Sequence, residues 1–561
     1  MINKMYKLVR DMADFDETID TVKPLFTDTE TYEDIAKSSG GLYGQVRLIQ
    51  IYQEGWEHAY LFDCMFVDFH EVLAILKPNF LVFHNGSFDL HTINCNTEEL
   101  WLPCNVGDTF YMSKIAYPEH TKYTFYDCLS HAGVSDAKID AIDKKAQQKS
   151  DWSQALMPDQ LTYAAYDVLY LSLLYNNAKH IESSEVYILD MKNQVVAIAY
   201  GRVGMPINVD TIRKMQQENV VLSETYKNLC PVNINSPPQC KEWLGTQGTD
   251  ATILGILALQ GNKDAENLIN ARKYTKMIGF LKKYKAPFVR GFHNACGART
   301  GRMTCSGGDR YFCDNTQNPP KAMFPAFEAP EGKIMVYKDY SGLELRMAVS
   351  WCGEPTMYDL MMKGKDMHTE TGCYLFDKTP ETLSKELRTI TKFYNFGTAY
   401  GAYPKTLRAL LRSQARIELT LAKVTELREK WLAMYSYFDE WHKMHKRQIQ
   451  IYGYLDIETA LGRPIRTYSL NDSLNFPIQG SASEVTKQAV VYLYERYKTP
   501  EIINVVHDSI TLLKNEGNEA DLWIGRLNEC MIDAWYYVIK DLAYPDLIMP
   551  AEAELKKRWS Y

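Results

Sequence analysis

Twelve cysteines are scattered through 561 residues without one C-x-x-C pair. That argues against a zinc knuckle and, for an intracellular chain, in favour of reduced, buried thiols. No run of about 18 apolar residues is present to cross a bilayer. The opening residues, MINKMYKLVRDMADFDE, lack the apolar core and small-residue cleavage site of a secretory signal. The expectation is a soluble, cytoplasmic chain with no membrane partner. Fixed-period repeats and low-complexity tracts are missing too, which excludes solenoids and propellers. The composition, 46% hydrophobic, 12% aromatic and 24% charged, is that of a globular protein and not of a collagen, coiled coil or disordered chain. At about 100–200 residues per domain it predicts three or four domains.

Basic charge is also in short supply. The net charge of −8 taken alone argues against phosphate-bearing partners. The distribution of charge along the chain points the other way: residues 1–100 hold 7 Lys+Arg against 17 Asp+Glu, and the other 461 hold 55 against 53. The segment ARKYTKMIGFLKKYKAPFVR at 271–290 carries seven basic residues, no acidic one, and interleaved aromatics. Such a run is commonly a solvated face, yet it is also the composition that grips a phosphate backbone.

Short apolar segments alternate with helical ones over the first ~185 residues. PLFTDTETY, VRLIQIY, AYLFDCMFV and NFLVFHNGSFDL read as strands, and LTYAAYDVLYLSLLYNNAKHI reads as a long helix. Residues 186–330 read as a mostly helical module, broken by NINSPPQ and the Gly-rich GARTGRMTCSGGD. The strand KIMVYKDY then opens a second α/β region over 331–561, helical in its middle at about 353–450 and returning to strands around IINVVHDSITLLK.

In the first region Asp28 and Glu30 alternate onto one strand face. Asp89 follows another strand, and Asp167 lies on the long helix with Tyr163 four residues earlier. Four carboxylates from three elements suit two divalent cations, which take oxygen ligands and activate water against a phosphodiester. Each fragment alone is equally a turn or cap residue. Their order, DTE, then Asn85-x-x-x-Asp89, then Tyr163-x-x-x-Asp167, resembles the DEDDy 3′–5′ exonucleases, which have an RNase H-like fold. The resemblance implies that Asp28, Glu30, Asp89 and Asp167 bind the metals and that Tyr163 orients the attacking water. This half alone would fit a freestanding exonuclease of RNase D type equally well.

In the last region Asp339 ends a strand and Asp508 sits between two apolar strands, where a hairpin turn is the plain alternative. Carboxylates at adjacent strand ends can share a pair of Mg²⁺ ions. Between them, Arg388, Lys392, Phe396 and Tyr400 recur every four residues and form one slowly drifting helical stripe. An amphipathic helix normally places cations opposite its apolar stripe. A stripe of two cations followed by two aromatics fits a ligand with a charged end and a flat end, such as a nucleoside triphosphate.

DYSGLELR, R-x-x-x-K-x-x-x-F-x-x-x-YG and VHDS resemble motifs A, B and C of family A DNA polymerases, the Klenow-like right-hand fold. TGRM at 300–303, NTQNPP at 315–320, DMH at 366–368, NFPIQGSASE at 475–484 and NSPPQ at 235–239 are similar to further family segments, so the resemblance spans nearly the whole chain. It implies an α/β and α+β multidomain architecture: an exonuclease at 1–185, a thumb and the start of the palm at 186–330, and a palm at 331–561 with fingers inserted at about 353–450.

By the same resemblance Asp339 and Asp508 hold two Mg²⁺ ions, Mn²⁺ being able to substitute, with the Tyr340 carbonyl as a further ligand. Arg388, Lys392 and His368 hold the triphosphate, and Lys392 can protonate pyrophosphate. Phe396 stacks on the incoming nucleotide, Tyr400 lies at the templating position, and Glu344 blocks a ribose 2′-hydroxyl. Arg302, Asn475 and Gln479 touch primer or template in the minor groove, where acceptors are similarly placed for all base pairs. His507 approaches the primer terminus, and the basic run, including Arg272 and Lys276, falls where a thumb holds duplex.

Two positions depart from the family pattern. Ser509 stands where a Glu usually follows the motif C aspartate. The segment CSGGDRYFCD, with Cys305 and Cys313 expected to be unpaired, extends a stretch that is commonly compact. The implied function is templated extension of a primer by dNTPs, with 3′–5′ proofreading, in a monomer that replicates phage DNA. It has no recognisable 5′-nuclease and no identifiable processivity partner. A single-subunit RNA polymerase and a primer-template binding protein with decayed sites are the alternatives; Glu344 and the exonuclease motifs speak against the first, and only Ser509 supports the second.

Overall fold

The computed structural model describes residues 5–31, 44–134, 150–307, 313–498 and 501–559. Six strands build the first sheet: β1 (Tyr6–Val9), β2 (Leu25–Thr31), β3 (Val46–Tyr52), β4 (Ala59–Asp63), β5 (Phe80–Phe83) and β6 (Asn105–Asp108). Their order is β1-β4-β3-β2-β5-β6. β3 runs antiparallel to β2 and β4, and the other pairings are parallel. Alternation along β2 sends Leu25 to one face, with Ile49, Phe62 and Leu90, and Phe26 to the other. There helix α2 (Pro158–Ala178) packs Ala164, Ala165 and Val168 onto it. Asp28 and Glu30 share the parity of Phe26 and so lie on the α2 side of the sheet.

Two expected strands are shorter than their apolar runs. AYLFDCMFV is strand only to Asp63, and NFLVFHNGSFDL is strand only to Phe83 before helix α1 (Ser87–Cys95) begins. The turn between them is set by Asn85, at φ +64°, and by Asp108, whose two oxygens accept the backbone N–H groups of Asn85 and Gly86 at 2.8 Å. Asp89 is therefore in a first helical turn and not at a strand end.

Helix α3 (Glu185–Val203) opens the region read as thumb, but it is packed between the two sheets. On one side Gln194 donates to Asp108 at 2.8 Å, and the Arg202 guanidinium donates to backbone carbonyls of Asn94, Thr97, Glu98 and Glu99. On the other side Asp190, fully buried, accepts from Lys487 at 2.7 Å and from Arg463. Those two cations hold its carboxyl below the ordinary range against the opposing effect of burial. The rest of the region read as thumb is built on an antiparallel pair, α4 (Val209–Asn228) and α5 (Lys263–Leu281), joined by Ser223–Thr275 at 2.9 Å and Gln216 to the Leu281 carbonyl at 2.8 Å.

The second sheet is antiparallel throughout, ordered β8-β9-β7-β10, with β7 Lys333–Tyr340, β8 Ile502–Val506, β9 Ser509–Asn515 and β10 Ala551–Lys556. β10 is a strand that the sequence pattern does not announce. Val336, Ile510 and Leu512 face α10 (Leu470–Tyr497) and α11 (Asn518–Ile539), whereas Met335 and Tyr337 join a separate cluster with Met205 and Trp559. Between β7 and β8 stands the helical insertion, including α6 (Leu343–Cys352), α7 (Met367–Phe376), α8 (Lys385–Ala399) and α9 (Leu421–Met434). Tyr394, Trp431, Tyr435 and Phe438 lie in its core.

The buried Asp190–Arg463–Lys487 group ties α3 to the second half of the chain. Asp190→Ala leaves two cations unpaired in that joint and should lower stability by about 3–5 kcal/mol, the usual cost of breaking a buried pair. Removing Glu495, whose bond to Lys192 at 2.7 Å is about half exposed, should cost at most about 1 kcal/mol. Urea denaturation compares the two, and equal midpoints would show that the joint carries no such weight.

Candidate active sites

Oxygens of Asp28, Glu30 and Asp167 lie within 4.8 Å of one another. β2 supplies the first two, and α2, crossing above, supplies the third. They line a cavity of about 590 Å³ with Tyr163, Tyr126, Phe125, Phe110 and Asn85. Asp89, buried on α1, accepts a hydrogen bond from Thr29 at 2.7 Å; it lies outside that group of three but close enough to Asp28 for their charges to interact. Burial first, and then the charge of Asp167 on Asp28 and of Asp28 on Asp89, pushes both carboxyls well above their usual range. A cluster that resists ionisation by itself, and offers only hard oxygen donors, is suited to divalent cations. Tyr163 stands close enough to this charge for its phenol to be pushed up, chiefly by burial and next by Asp167.

The second site forms where β7 meets β9. Asp339 pairs in register with Ser509, and the Tyr340 N–H donates to the Asp508 carbonyl at 3.3 Å. Asp508 thus sits in the two-residue turn between β8 and β9, beside Asp339. The turn's other residue, His507, has φ +52°, as the first central position of a tight two-residue hairpin requires. Asp339 is pushed up to about 7 by partial burial and by Asp508 beside it, and Asp508 is also raised, by burial above all. Parity sends the Tyr340 side chain the other way, into the core between the second sheet and α11, where its hydroxyl donates to the Met531 carbonyl at 2.7 Å; only its backbone is left for a ligand. The Ser509 hydroxyl donates to the Val506 carbonyl at 3.0 Å, an engagement within its own hairpin.

Helix α8 carries the expected stripe. Arg388 and Lys392 are exposed, Phe396 is half-buried, and Tyr400 is the residue that caps the helix C-terminus. Arg388 is held by Asp366, which accepts from its Nη2 at 2.6 Å and its Nε at 3.0 Å while capping α7 through the His368 N–H. The His368 ring is fixed from behind. Trp431 Nε1 can only donate, and it donates to Asn395 Oδ1 at 2.8 Å; the Asn395 amide then donates to His368 Nδ1 at 3.0 Å. The proton therefore sits on Nε2. Burial depresses the ring to about 4, so at neutral pH His368 is an oriented neutral donor and not a cation. Glu344 is bonded by both Arg302 and the Tyr400 hydroxyl. Arg302, Glu344, His507 and Asp508 line a second cavity of about 360 Å³.

The expected DNA contacts divide. Asn475 and Gln479 are partly exposed on α10, with the Asn475 amide donating to the Asn471 carbonyl at 2.7 Å. Lys276 is exposed on α5, its ammonium 5.7 Å from the Phe280 ring. Arg272 is turned inward: its guanidinium donates to the carbonyls of Ile234 at 2.8 Å and Thr249 at 2.7 Å, which leaves it few donors for phosphate. Cys305 and Cys313 are both buried; residues 308–312 between them lie outside the described residues. Asp366, Asn395, Trp431 and Tyr126 are invisible to spacing arguments, because they act through other side chains and show no periodicity of their own.

A family profile described as DNA polymerase family A matches residues 199–543, and one described as 3′–5′ exonuclease matches 6–181. DNA polymerase I of Aquifex aeolicus (strain VF5) is 27% identical over 588 aligned residues, covering 96% of each chain. The DNA polymerase of Mycobacterium phage L5 is 24% identical, covering 83% of this chain and 82% of its own. Among solved structures, the POL domain of Pol1 from M. smegmatis, in complex with DNA primer-template and dNTP, has a TM-score of 0.75 at 18% identity. It covers 95% of both chains and is alike in fold.

Relieving the repulsion at the first cluster should stabilise the metal-free chain. In chelator, Asp28→Asn is expected to raise the melting temperature by about 2–4 °C. The native carboxyls are raised, so protons neutralise more of the repulsion as pH falls, and the gain from the substitution should grow as pH rises. Added divalent cation should then stabilise the wild type more than the variant. Scanning calorimetry with and without chelator decides, and a variant less stable than wild type in chelator at pH 8 would refute the crowding argument.

Proposed function

Because the chain belongs to DNA polymerase family A and carries a 3′–5′ exonuclease domain, we propose that it extends primed DNA templates with dNTPs at the Asp339–Asp508 site. Mispaired ends are removed at the Asp28–Glu30–Asp167 cluster, in the manner of the DEDDy enzymes. The observation that carries this reading is the closure of β7 on the β8–β9 turn. It sets two carboxylates side by side, and Glu344, which lines the same cavity as Asp508, bonds Tyr400 at the end of the helix that carries two cations and then two aromatics. Divalent cations, which both domains use, supply the acidity that prepares the attacking oxygen and the charge that offsets the leaving group; Mg²⁺ is the ion proposed, with Mn²⁺ as substitute.

The protein's own groups do the positioning. Asp339 and Asp508 hold the cations at polymerisation, and the Tyr340 carbonyl is a further oxygen beside them. Arg388, Lys392 and the Nε2–H of His368 receive the triphosphate, with Lys392 the exposed ammonium able to deliver a proton to pyrophosphate. Glu344, immobilised by Arg302 and Tyr400, presents a fixed wall to the sugar, so an added 2′-oxygen meets a carboxylate that cannot swing away. This favours a DNA over an RNA polymerase. Phe396 and Tyr400 meet the nascent base pair, and Arg302, Asn475, Gln479, His507 and Lys276 meet primer-template. At the exonuclease site Asp28, Glu30, Asp89 and Asp167 form the ligand set and Tyr163 orients the water. The aromatic walls Phe110, Phe125 and Tyr126 favour unpaired bases that can stack, which selects frayed ends. Replication of phage DNA by a monomer in the host cytoplasm is the role proposed; the mycobacteriophage relative supports it.

Asp339→Ala or Asp508→Ala should lower primer extension by roughly 10³-fold, the scale of losing a preorganised electrostatic element, and leave single-strand degradation intact. Asp28→Ala with Glu30→Ala should do the reverse; the opposite pattern in either variant sinks the assignment. Glu344→Ala should raise rNTP incorporation by about 10–100-fold, read from single-nucleotide extension. Protons compete with cations at Asp339, so the half-saturating Mg²⁺ for extension should rise as pH falls from 8 to 6.

A further inference from the structure

Tyr126 stands in YTFYDCLSHAG, outside every motif that pointed to function. Its place is set by the start of the short helix Phe125–His131, where Thr124 and Asp127 form a reciprocal capping box at 3.3 Å each way. Edge-on packing against Phe125 at 5.4 Å between ring centres fixes the ring further. From there the phenol reaches over the cavity and donates to Asp167 Oδ1 at 3.2 Å. Asp167 is the one member of the three-carboxylate cluster that arrives from a helix; Asp28 and Glu30 are held by the ladder of β2.

We propose that Tyr126 is a second tyrosine of the exonuclease site, a positioning residue that orients Asp167 toward the cations; this rests on the reading of that site given above. A carboxylate on a helix can rotate about its last torsion. A donor on one lone pair of Oδ1 stops that rotation and leaves the rest of the carboxylate turned to the cluster. Groups placed in this way behind metal ligands commonly tune metal affinity. Tyr163 cannot serve the same purpose in the same way. It lies one turn back on α2 itself, so it moves with Asp167, whereas Tyr126 comes from a separate helix and supplies an independent anchor.

The experiment uses the full chain carrying Asp339→Ala and Asp508→Ala, so that cation binding reports the exonuclease site, and titrates Mn²⁺ by electron paramagnetic resonance. Tyr126→Phe in that background should weaken Mn²⁺ about 10-fold, within the range for outer-shell partners. Tyr126→His, which keeps a donor, should recover part of the loss. In the chain with an intact polymerase site, Tyr126→Phe should slow single-turnover degradation of single-stranded DNA, with recovery at high Mn²⁺, and leave primer extension unchanged, which also reports folding. Wild-type Mn²⁺ affinity in Tyr126→Phe overturns the proposal, whether or not the rate falls. Asp28→Asn separates this from failure of the site itself: if it too leaves Mn²⁺ binding intact, the metal-site reading is what fails.

Discussion

Like charges forced together organise this protein. At two places the backbone brings carboxylates to distances they would not choose in water, and in both it does so with the most rigid device available, the end or turn of a hydrogen-bonded strand. β2 fixes Asp28 and Glu30 on one face, and the β7–β9 register fixes Asp339 beside the turn that holds Asp508. Burial first, and then the neighbouring charge, raises the carboxyls at both sites, an electrostatic cost carried by the metal-free chain. Cation binding releases it, so the affinity for metal is stored in the fold of the metal-free chain.

Such sites need stiff surroundings, because a pair of repelling groups on a loose scaffold would move apart. The stiffness comes from elements that join modules rather than define them. Helix α3 is bonded to the first sheet through Gln194, Tyr187 and Arg202 and to the second half through Asp190. The buried ion group suits a joint, since it is satisfied only when Arg463, Lys487 and the α3 carboxylate meet in one geometry. The two carboxylate clusters are thereby carried on a shared frame.

A second layer of side chains sets the states of the first. Trp431 orients Asn395, Asn395 decides which nitrogen of His368 carries the proton, and burial keeps that ring neutral. Asp366 restrains Arg388 from the same helix end that presents His368, so the site proposed for the triphosphate is partly assembled before a ligand arrives. Glu344 is held from two sides. Preorganisation of this kind limits the reorganisation left for the moment of reaction.

The linear chain by itself determined the chemistry and its order. Alternation put Asp28 and Glu30 on one face, four-residue spacing put Arg388, Lys392, Phe396 and Tyr400 on one stripe, and apolar runs around Asp508 announced a hairpin; these are local periodicities that a sequence displays directly. What only the tertiary structure decided involves partners far apart in the chain. Arg272 looked like a phosphate ligand because its neighbours are basic, but the carbonyls of Ile234 and Thr249 fold back to take its donors. Asp89 looked like the end of a strand until Asp108 proved to cap the turn before it. β10 was unreadable as a strand beside β7, and Tyr126 had no reason to stand out until Asp167 came within its reach. Spacing fixes which residues share a face, and only the folded chain fixes what that face meets.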